Sequence, residues 1–317
     1  MPTRPLASTP WETDLDAHPR QRVSTLLRAA EGLLAEASIA NPAPDASSLL
    51  AHAWGIETQT LSRRRLFDEE VPAEVAGDFA RLCERRRQRV PLQHLTGTAH
   101  FRHLELSVGP GVFVPRPETE LLVTEVLEEL KSRAEGAAPL VIDLCSGSGA
   151  ISLSLASEHP GVRVIGVERE RTALEWSRIN LERTHLGESS VDFVEGDATT
   201  FADDTPALHG SADVVVTNPP YVPDAAVPRD AEVREHDPAA ALYGGSTGLE
   251  IPAQIILQAE SLLRPGGFFI MEHSEEQGAG ARELIASTAS LRQAATFPDY
   301  TGRDRYTVAR RMTETSR

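Results

Sequence analysis

A short apolar run followed by a rigid polar loop is the feature that most constrains this chain. Residues 212–216 read Ala-Asp-Val-Val-Val, a pattern typical of a strand buried in a parallel sheet. Asn218-Pro219-Pro220-Tyr221 follow almost at once. In open α/β folds, residues beyond the carboxyl ends of the strands form the ligand site. The sequence therefore predicts an α/β sheet with a functional loop at residues 218–221.

The composition of this loop suits methylation of a planar nitrogen. The side-chain oxygen of Asn218 and the backbone carbonyl of Pro219 can each accept one N–H, which orients the nitrogen lone pair towards an electrophile. Two prolines fix the backbone, and Tyr221 offers an aromatic face to a flat amide or base. We expect catalytic roles for Asn218, Pro219 and Tyr221, with Pro220 completing the substrate-binding loop. The alternative is a proline-rich turn that only ends a strand.

A second strand and loop predict the site of the methyl donor. Residues 140–144 read as a strand, Cys145-Ser146-Gly147-Ser148-Gly149 follow it, and residues 150–156 read as a helix. Glycines allow close approach of a ligand to the backbone, and the helix start offers free N–H groups. We therefore expect residues 145–149 to bind the donor.

Acidic residues beyond the strands complete this prediction. The runs 162–167 and 191–194 end at Glu168 and Asp197-Ala198, and Glu168 has the spacing of an acid that binds ribose hydroxyls. Asp197 is a candidate acceptor for an adenine amino group. A glycine-rich turn with a downstream acid also describes nicotinamide enzymes. However, Ser152 replaces the third glycine of that fingerprint, and Asp143 suits the amino group of S-adenosylmethionine better than a pyrophosphate. Asn218 is expected at the edge of the same cofactor site.

Several strings, taken in order, resemble the peptide chain release factor glutamine methyltransferases. They are Pro115-Arg116-Pro117-Glu118-Thr119-Glu120, residues 143–149, residues 218–221, Ala241-Leu242-Tyr243-Gly244-Gly245 and Gly302-Arg303-Asp304-Arg305-Tyr306. The segment 91–97 with Phe101 resembles the interdomain region of that family. The likeness covers residues 20–310. The motif at 218–221 also occurs in adenine-specific methyltransferases, whereas the 115–120 and 91–97 strings are more specific.

This resemblance implies a fold, a cofactor and a substrate. The implied fold is a Rossmann-like class I S-adenosylmethionine-dependent methyltransferase domain, with a seven-stranded, mostly parallel sheet and a small all-α N-terminal domain. The implied reaction methylates the glutamine side-chain amide in the Gly-Gly-Gln motif of class 1 release factors. Three positions depart from the family pattern. Cys145 lies where the family commonly has glycine, Thr247 lies where it commonly has an acid, and His273 lies at the isoleucine position of Glu-Ile-Gly. We expect these departures to change local packing only.

Composition agrees with an intracellular enzyme of two domains. The chain has 317 residues, of which 40% are hydrophobic, enough for a catalytic core and a smaller domain. Two cysteines make no disulfide framework and favour a reducing, cytoplasmic compartment. No apolar run approaches the length of a membrane span, and no metal-binding motif is expected. We expect a monomer.

Charge is spread unevenly. Residues 1–90 hold 12 arginines and 13 acids, whereas residues 91–317 hold 19 basic and 34 acidic residues. An acidic catalytic half would repel a phosphate backbone, so a nucleic-acid substrate is not expected.

Helical periodicity and chain breakers suggest four segments. These are a disordered tail (1–19), a helical substrate-docking domain (20–90), a β-hairpin linker (91–114) and a catalytic domain (115–317). Helices are predicted over 20–37, from Asp45 to Trp54, from Pro72 to about Arg89, and from Pro117 to about Arg133. The arginine runs 63–65 and 85–87 are interpreted as solvated faces, with a role in partner binding as the alternative.

Two other functions compete with the leading one. An adenine methyltransferase acting on DNA or RNA would use the same acceptor geometry, but it should also carry a basic groove and a base-stacking surface. A catalytically silent S-adenosylmethionine-binding scaffold is the second alternative. The intact Asn218 and Tyr221 argue against it.

Overall fold

The computed structural model describes residues 21–132 and 138–313. Its strands are β1 (Gln21–Arg22), β2 (Glu70–Val71), β3 (Thr98–Phe101), β4 (Leu104–Ser107), β5 (Leu140–Leu144), β6 (Arg163–Glu168), β7 (Ser190–Glu195), β8 (Ala212–Thr217), β9 (Leu263–Glu272), β10 (Leu291–Pro298) and β11 (Asp304–Arg311). The predicted tail at 1–19 and the helix end at Arg133 lie outside the described residues.

The helices follow the order of the chain. They are α1 (Val23–Glu36), α2 (Pro42–Trp54), α3 (Thr58–Leu66), α4 (Ala73–Arg87), α5 (Leu92–Thr96), α6 (Glu120–Lys131), α7 (Ala150–Glu158), α8 (Arg171–Arg183), α9 (Phe201–Asp204), α10 (Ala231–His236), α11 (Ala239–Leu242), α12 (Glu250–Leu262) and α13 (Gly278–Ala286). Two 3-10 turns span Pro117–Thr119 and Pro206–Leu208.

The central sheet places the predicted loops along one edge. Within the described ranges it has seven strands in the order β10-β11-β9-β8-β5-β6-β7. Strands β9, β8, β5, β6 and β7 run parallel, while β11 is antiparallel to both of its neighbours. The prediction of a Rossmann-like α/β domain with a mostly parallel seven-stranded sheet is confirmed.

Strand β8 is buried on both faces, which explains the three consecutive valines in its sequence. Val214 and Val216 belong to one hydrophobic cluster, whereas Val215 belongs to the cluster on the opposite face. All three side chains are fully buried. Alternate residues of a strand point to opposite faces, so a strand covered by helices on both sides needs no polar alternation.

The N-terminal region is helical, as expected, and has its own core. Helices α1 to α5 pack around a third cluster that includes Leu34, Leu49 and Phe79. Helix α2 ends as predicted at Trp54, with Gly55 in the left-handed conformation (φ 63°). Its start differs from the prediction, because the helix begins at Pro42 rather than at Asp45. Proline is tolerated in the first turn of a helix, where no intrahelical N–H bond is lost.

The segment predicted as a hairpin over 91–114 is only partly β-structure. Leu92–Thr96 form the short helix α5, which ends at Gly97 with φ 76°. Strands β3 and β4 then pair antiparallel, with Thr98 opposite Ser107 and Phe101 opposite Leu104. The alternating apolar pattern therefore marked the hairpin, but it did not reveal the helical turn between Pro91 and Gly97.

The described chain forms two compact units. One comprises residues 21–97 together with Arg229–His236, and the other comprises Thr98–Pro228 with residues 237–313. In the first unit, Arg86 is 7% exposed and pairs with Asp45 (Nε to Oδ2, 2.8 Å) and with Glu232 (Nη1 to Oε1, 2.8 Å). The interpretation of the whole 85–87 run as a solvated face was wrong for Arg86. Its charge is buried among two carboxylates, which compensate it.

Candidate active site

The loop 218–221 and the loop 145–149 lie beside each other because their strands are neighbours. Strands β5 and β8 pair in parallel, with Leu144 opposite Thr217. The Thr217 hydroxyl donates to the Leu144 carbonyl at 2.7 Å. Both loops therefore leave the sheet from adjacent carboxyl ends, the position predicted from the sequence. This adjacency can bring a donor and an acceptor group into contact.

The segment 241–245 packs against the 218–221 loop and the residue that follows it. The Val222 N–H donates to the Leu242 carbonyl at 2.8 Å, and the Gly244 N–H donates to the Val222 carbonyl at 2.9 Å. Gln277 donates from Nε2 to the Tyr221 carbonyl at 2.9 Å. A Cβ on Gly244 would overlap the Pro220 carbonyl. The segment 241–245 therefore supports the 218–221 loop.

Replacing Gly244 with alanine should displace this loop. The added methyl group would meet backbone rather than a side chain that can move, so Pro220 must shift. We expect kcat to fall by on the order of 100-fold and the free energy of unfolding to fall by about 1–3 kcal/mol. Steady-state kinetics and denaturant titration measure the two effects.

The matched control is Gly32→Ala. A Cβ at this position of α1 meets nothing within 4 Å, and we expect unchanged kcat with a gain of about 0.5–1 kcal/mol. Equal kcat values for Gly244→Ala and Gly32→Ala would show that Gly244 does not support the 218–221 loop.

The side chains of Asn218 and Tyr221 are half-buried and held by neighbours. Asn218 donates from Nδ2 to Thr119 Oγ1 at 3.2 Å. The Tyr221 hydroxyl donates to Glu272 Oε1 at 3.3 Å. Burial, with the nearby Glu272 carboxylate, raises the pKa of Tyr221. The phenol therefore remains protonated at neutral pH and offers an aromatic face rather than a general base.

The carboxyl of Asp143 lies just before residues 145–149, the loop predicted to bind the methyl donor and called the donor loop below. It is 0% exposed and accepts from the Ser152 hydroxyl through Oδ2 at 2.6 Å. Burial raises its pKa to about 7. Its Oδ1 and the Ser146 hydroxyl are both buried and lack a hydrogen-bond partner among the described residues. Buried polar atoms normally have partners, so this pair fits the amino and carboxylate groups of S-adenosylmethionine.

Glycines shape the rest of the donor loop. A Cβ at Gly147 (φ 56°) would meet nothing within 4 Å, which leaves open space above the backbone. A Cβ at Gly149 (φ 84°) would lie 2.6 Å from Phe193. Buried Ser148 accepts from Asn180 Nδ2 through its carbonyl at 3.0 Å. The open side of the loop is therefore available to a ligand, while the other side packs against the sheet.

Glu168 accepts hydrogen bonds from the backbone of the donor loop, in addition to its predicted contact with the ribose of the donor. Its Oε2 accepts from the Gly147 N–H at 2.9 Å, and its Oε1 accepts from the Glu170 N–H at 2.8 Å. Burial raises its pKa, although these backbone bonds oppose the rise. Each carboxylate oxygen has a second lone pair, which can accept from a ribose hydroxyl. Contact of Glu168 with the donor's ribose stays a prediction.

Asp197 and Ala198 follow β7 at the same edge of the sheet. Asp197 Oδ1 accepts from both the N–H and the hydroxyl of Thr199, at 2.8 and 2.7 Å. Burial acts to raise the pKa of Asp197, but the Thr199 bonds and Arg169 outweigh it and lower the pKa. Ala198 is buried. The predicted contact of Asp197 with adenine stays a prediction.

The three departures from the family pattern have local structural explanations. Cys145 adopts φ 69°, a conformation that favours glycine; burial raises the pKa of its thiol, which opposes a nucleophilic role. Thr247 donates its hydroxyl to Glu250 at 3.0 Å. The buried His273 ring lies 2.8 Å from the Thr307 hydroxyl and 2.8 Å from the Ser274 carbonyl, and burial lowers its pKa.

Sequence reasoning missed three residues that hold the site. Asn180 joins the donor loop to Ser107 through its side-chain amide. Thr119 and Glu272 contact the 218–221 loop. Thr119 lies in the 3-10 turn within the 115–120 string, and Glu272 ends a strand beside β8. For Glu272, the end of a strand that neighbours β8 was the available signal.

No helix in residues 21–132 or 138–313 is long and apolar enough to cross a membrane. Over the same ranges, no group of three or more His, Cys, Asp or Glu side chains could hold a metal ion.

Two families of known proteins match this chain. Residues 25–97 match the PrmC N-terminal domain family, and residues 138–311 match a methyltransferase domain family. The release factor glutamine methyltransferase of Bifidobacterium longum is 44% identical over 90% of this chain and 99% of its own length. That of Mycolicibacterium smegmatis is 40% identical over 92% and 98%.

One relative has a different named substrate. The 4-amino-L-phenylalanine/4-methylamino-L-phenylalanine methyltransferase of Streptomyces pristinaespiralis is 35% identical over 84% of this chain and 86% of its own length.

The chain is an S-adenosylmethionine-dependent methyltransferase. Its similarity to the curated relatives extends over both compact units, so the chain belongs to the release factor glutamine methyltransferase family.

Proposed function

We propose that this enzyme methylates the side-chain amide nitrogen of glutamine in the Gly-Gly-Gln motif of class 1 release factors. The observation that carries the proposal is the 218–221 loop, held on β8 directly beside the donor loop on β5. The relatives named as release factor glutamine methyltransferases support the substrate.

The chain's own groups would position the amide for attack. Asn218 Oδ1 and the Pro219 carbonyl accept the two N–H groups of the amide, which turns its lone pair towards the methyl group that bound S-adenosylmethionine supplies. Tyr221 packs against the amide plane, as an aromatic face does with flat groups. Holding the reacting atoms in this geometry replaces a bimolecular encounter with an effectively intramolecular step. The nitrogen becomes acidic once methylated, so one of its two protons passes to solvent water and no strong general base is needed.

Other amino groups would fit the same loop, so substrate choice needs a direct test. The Streptomyces pristinaespiralis relative is named for an aryl amine, and adenine is also planar. We disfavour a nucleic acid because residues 91–317 carry 19 basic and 34 acidic residues. We further propose that the enzyme acts as a monomer in the cytoplasm.

The test presents four substrates with labelled methyl donor. They are a class 1 release factor, its Gln→Ala variant at the Gly-Gly-Gln motif, duplex DNA and 4-amino-L-phenylalanine. We expect incorporation into the intact release factor alone. Labelling of the aryl amine or DNA in preference to the release factor would overturn the proposal.

We also propose that the helical unit, predicted over residues 20–90, docks the release factor. Leu66 and Phe67, at the end of α3, are 83% and 75% exposed. The arginines 63–65 precede them in the last turn of the same helix. Exposed aromatic and aliphatic side chains beside arginine are typical of protein-binding surfaces. The segment 91–114 would link this unit to the catalytic residues 115–317.

Replacing Leu66 and Phe67 together with serine should weaken docking without affecting the chemistry. We expect KM for the intact release factor to rise by roughly tenfold or more, while kcat/KM for a short Gly-Gly-Gln peptide stays unchanged. Leu257→Ser, which removes an exposed leucine from α12 of the catalytic unit, is the control. Equal losses with peptide and protein would remove the docking role.

A further inference from the structure

Gln277 is a buried glutamine directly before α13, and its side chain binds the backbone of the 218–221 loop. It is 8% exposed. Its Nε2 donates to the Tyr221 carbonyl at 2.9 Å and to the Thr247 carbonyl at 3.4 Å. Its Oε1 accepts from the Ser274 N–H at 3.1 Å. A side-chain amide has two N–H donors, so Gln277 can give one to each carbonyl and join the 218–221 loop to Thr247.

The Tyr221 carbonyl lies where two loops approach each other closely. A Cβ on Gly248, which has φ 78°, would overlap this carbonyl. Within residues 21–132 and 138–313, the donor that the structure gives to the carbonyl is Gln277 Nε2. A carbonyl that loses its hydrogen bond in so crowded a place is destabilised. The orientation of the Tyr221 peptide therefore depends on Gln277.

The turn 272–277, between β9 and α13, contacts Tyr221 at both ends of that residue. Gln277 ends the turn and holds the carbonyl. Glu272 begins the turn, and its Oε1 accepts from the Tyr221 hydroxyl at 3.3 Å. One contact fixes the peptide, and the other fixes the far end of the aromatic ring. Together they restrict the orientation of the ring.

The turn is itself held by β11 and by its own hydrogen bonds. The His273 N–H donates to the Arg305 carbonyl at 2.9 Å, and the Gln277 N–H donates to the Ser274 carbonyl at 3.1 Å. The His273 ring lies 2.8 Å from the Ser274 carbonyl and 2.8 Å from the Thr307 hydroxyl. A side chain can position a neighbour only if its own place is fixed, and these contacts fix the place of Gln277.

We propose that Gln277 is a positioning residue for methyl transfer, which fixes the Tyr221 peptide and thereby the aromatic face against which the acceptor amide lies. This role rests on the proposed function, because it takes the Tyr221 ring as the surface that receives a flat acceptor group. Gln277 acts through Tyr221 rather than on the substrate. Its loss should slow turnover and leave donor binding unaffected, because the donor loop has contacts of its own, including Gly147 to Glu168.

The experiment compares Gln277→Met with Gln258→Met. Methionine is also long and unbranched, but it has no N–H group to donate. Gln258 is likewise 8% exposed, and its amide contacts Ala202 and Asp203 in α9. The control therefore removes an equally buried amide from the same compact unit. With the release factor, kcat should fall at least about tenfold in Gln277→Met and stay at the wild-type value in Gln258→Met. Donor affinity by calorimetry should be unchanged in both variants.

Gln277→Asn is a second variant that protects the start of α13. Asparagine is favoured directly before a helix, but its side chain is one methylene shorter and withdraws the N–H groups from the Tyr221 carbonyl. We expect the same loss of kcat as in Gln277→Met. A short Gly-Gly-Gln peptide should show this loss as well, because the effect arises at the reaction site rather than at a docking surface.

Nuclear magnetic resonance of the tyrosines reports on the contact without turnover. The chain has four tyrosines, so protein labelled with ¹³C at the tyrosine carbonyl and ring carbons gives few signals, and Tyr221→Phe assigns those of Tyr221. The carbonyl and ring signals of Tyr221 should shift in both Gln277 variants and keep their wild-type positions in Gln258→Met. The signals of Tyr300, which is 84% exposed, are the internal control.

The outcomes separate this role from the proposed function. If the wild-type enzyme does not methylate the release factor, the proposed function fails, and the positioning role for that reaction fails with it. An active wild type with a fully active, folded Gln277→Met variant would overturn the positioning role alone. Equal losses of kcat in Gln277→Met and Gln258→Met, or unchanged Tyr221 signals in the Gln277 variants, would also overturn it and leave Gln277 as a packing residue.

Discussion

Alanine in place of Asn218 should nearly abolish methyl transfer while leaving donor binding close to the wild-type value. The lost oxygen is proposed to hold one N–H of the acceptor amide. Removing one well-placed polar contact from a reaction centre costs about 100-fold or more in rate. The donor loop on β5 keeps its own contacts, including Gly147 to Glu168 and Ser152 to Asp143.

Single-turnover rates and titration calorimetry measure the two quantities. Asn41→Ala is the matched control, because Asn41 is exposed and precedes α2 in the helical unit without a side-chain cap. A rate above about a tenth of wild type in Asn218→Ala would contradict the role assigned to this side chain.

Asparagine in place of Asp143 should weaken S-adenosylmethionine binding by roughly tenfold or more. The shape of the side chain is retained, but the charge proposed to meet the donor's amino group is removed. Charge-assisted hydrogen bonds contribute about 1.5–3 kcal/mol. Calorimetry on Asp143→Asn measures the loss, and an unchanged dissociation constant would place the donor elsewhere.

The same substitution should change how affinity and stability depend on pH. Burial raises the pKa of Asp143 to about 7 from an ordinary value of 3.8. Donor affinity should therefore fall as the pH drops below about 7, because the carboxyl must lose its proton to meet a cation, and Asp143→Asn should flatten this dependence.

Stability of the free protein should change in the opposite direction. A raised carboxyl pKa in the folded state means that this group's contribution is fully present below the unfolded value near 4 and is lost as the pH rises through about 7. Thermal unfolding of the donor-free protein from pH 5 to 8 should show a smaller decline in Asp143→Asn than in wild type. An identical pH dependence in both proteins would show that Asp143 is not the responsible group.

Much of the sheet could be predicted because its strands are short, mostly apolar segments that end in polar loops. The expected runs at 140–144, 162–167, 191–194 and 212–216 correspond to β5, β6, β7 and β8, with ends displaced by one residue at most. In β8, burial on both faces removes the polar alternation that would otherwise compete with this pattern. The adjacency of the two functional loops then followed from the rule for open α/β sheets.

The remaining features depend on long-range contacts that local patterns do not carry. Arg86 lies in a run of three arginines, and only the folded helical unit places Asp45 and Glu232 beside it. Thr119 and Asn218 are separated by 99 positions, and Tyr221 and Glu272 by 51. The helix α5 was missed because five residues between a proline and a glycine are too few for a periodic signal.

Tandem mass spectrometry of a release factor after incubation with the enzyme and S-adenosylmethionine tests the central claim most directly. One methyl group should appear on the amide nitrogen of the Gly-Gly-Gln glutamine, and it should be absent when Asn218→Ala replaces the wild-type enzyme. An unmodified glutamine in the presence of folded, donor-binding enzyme, or a methyl group on another residue, would contradict the assignment of the 218–221 loop as a glutamine amide site.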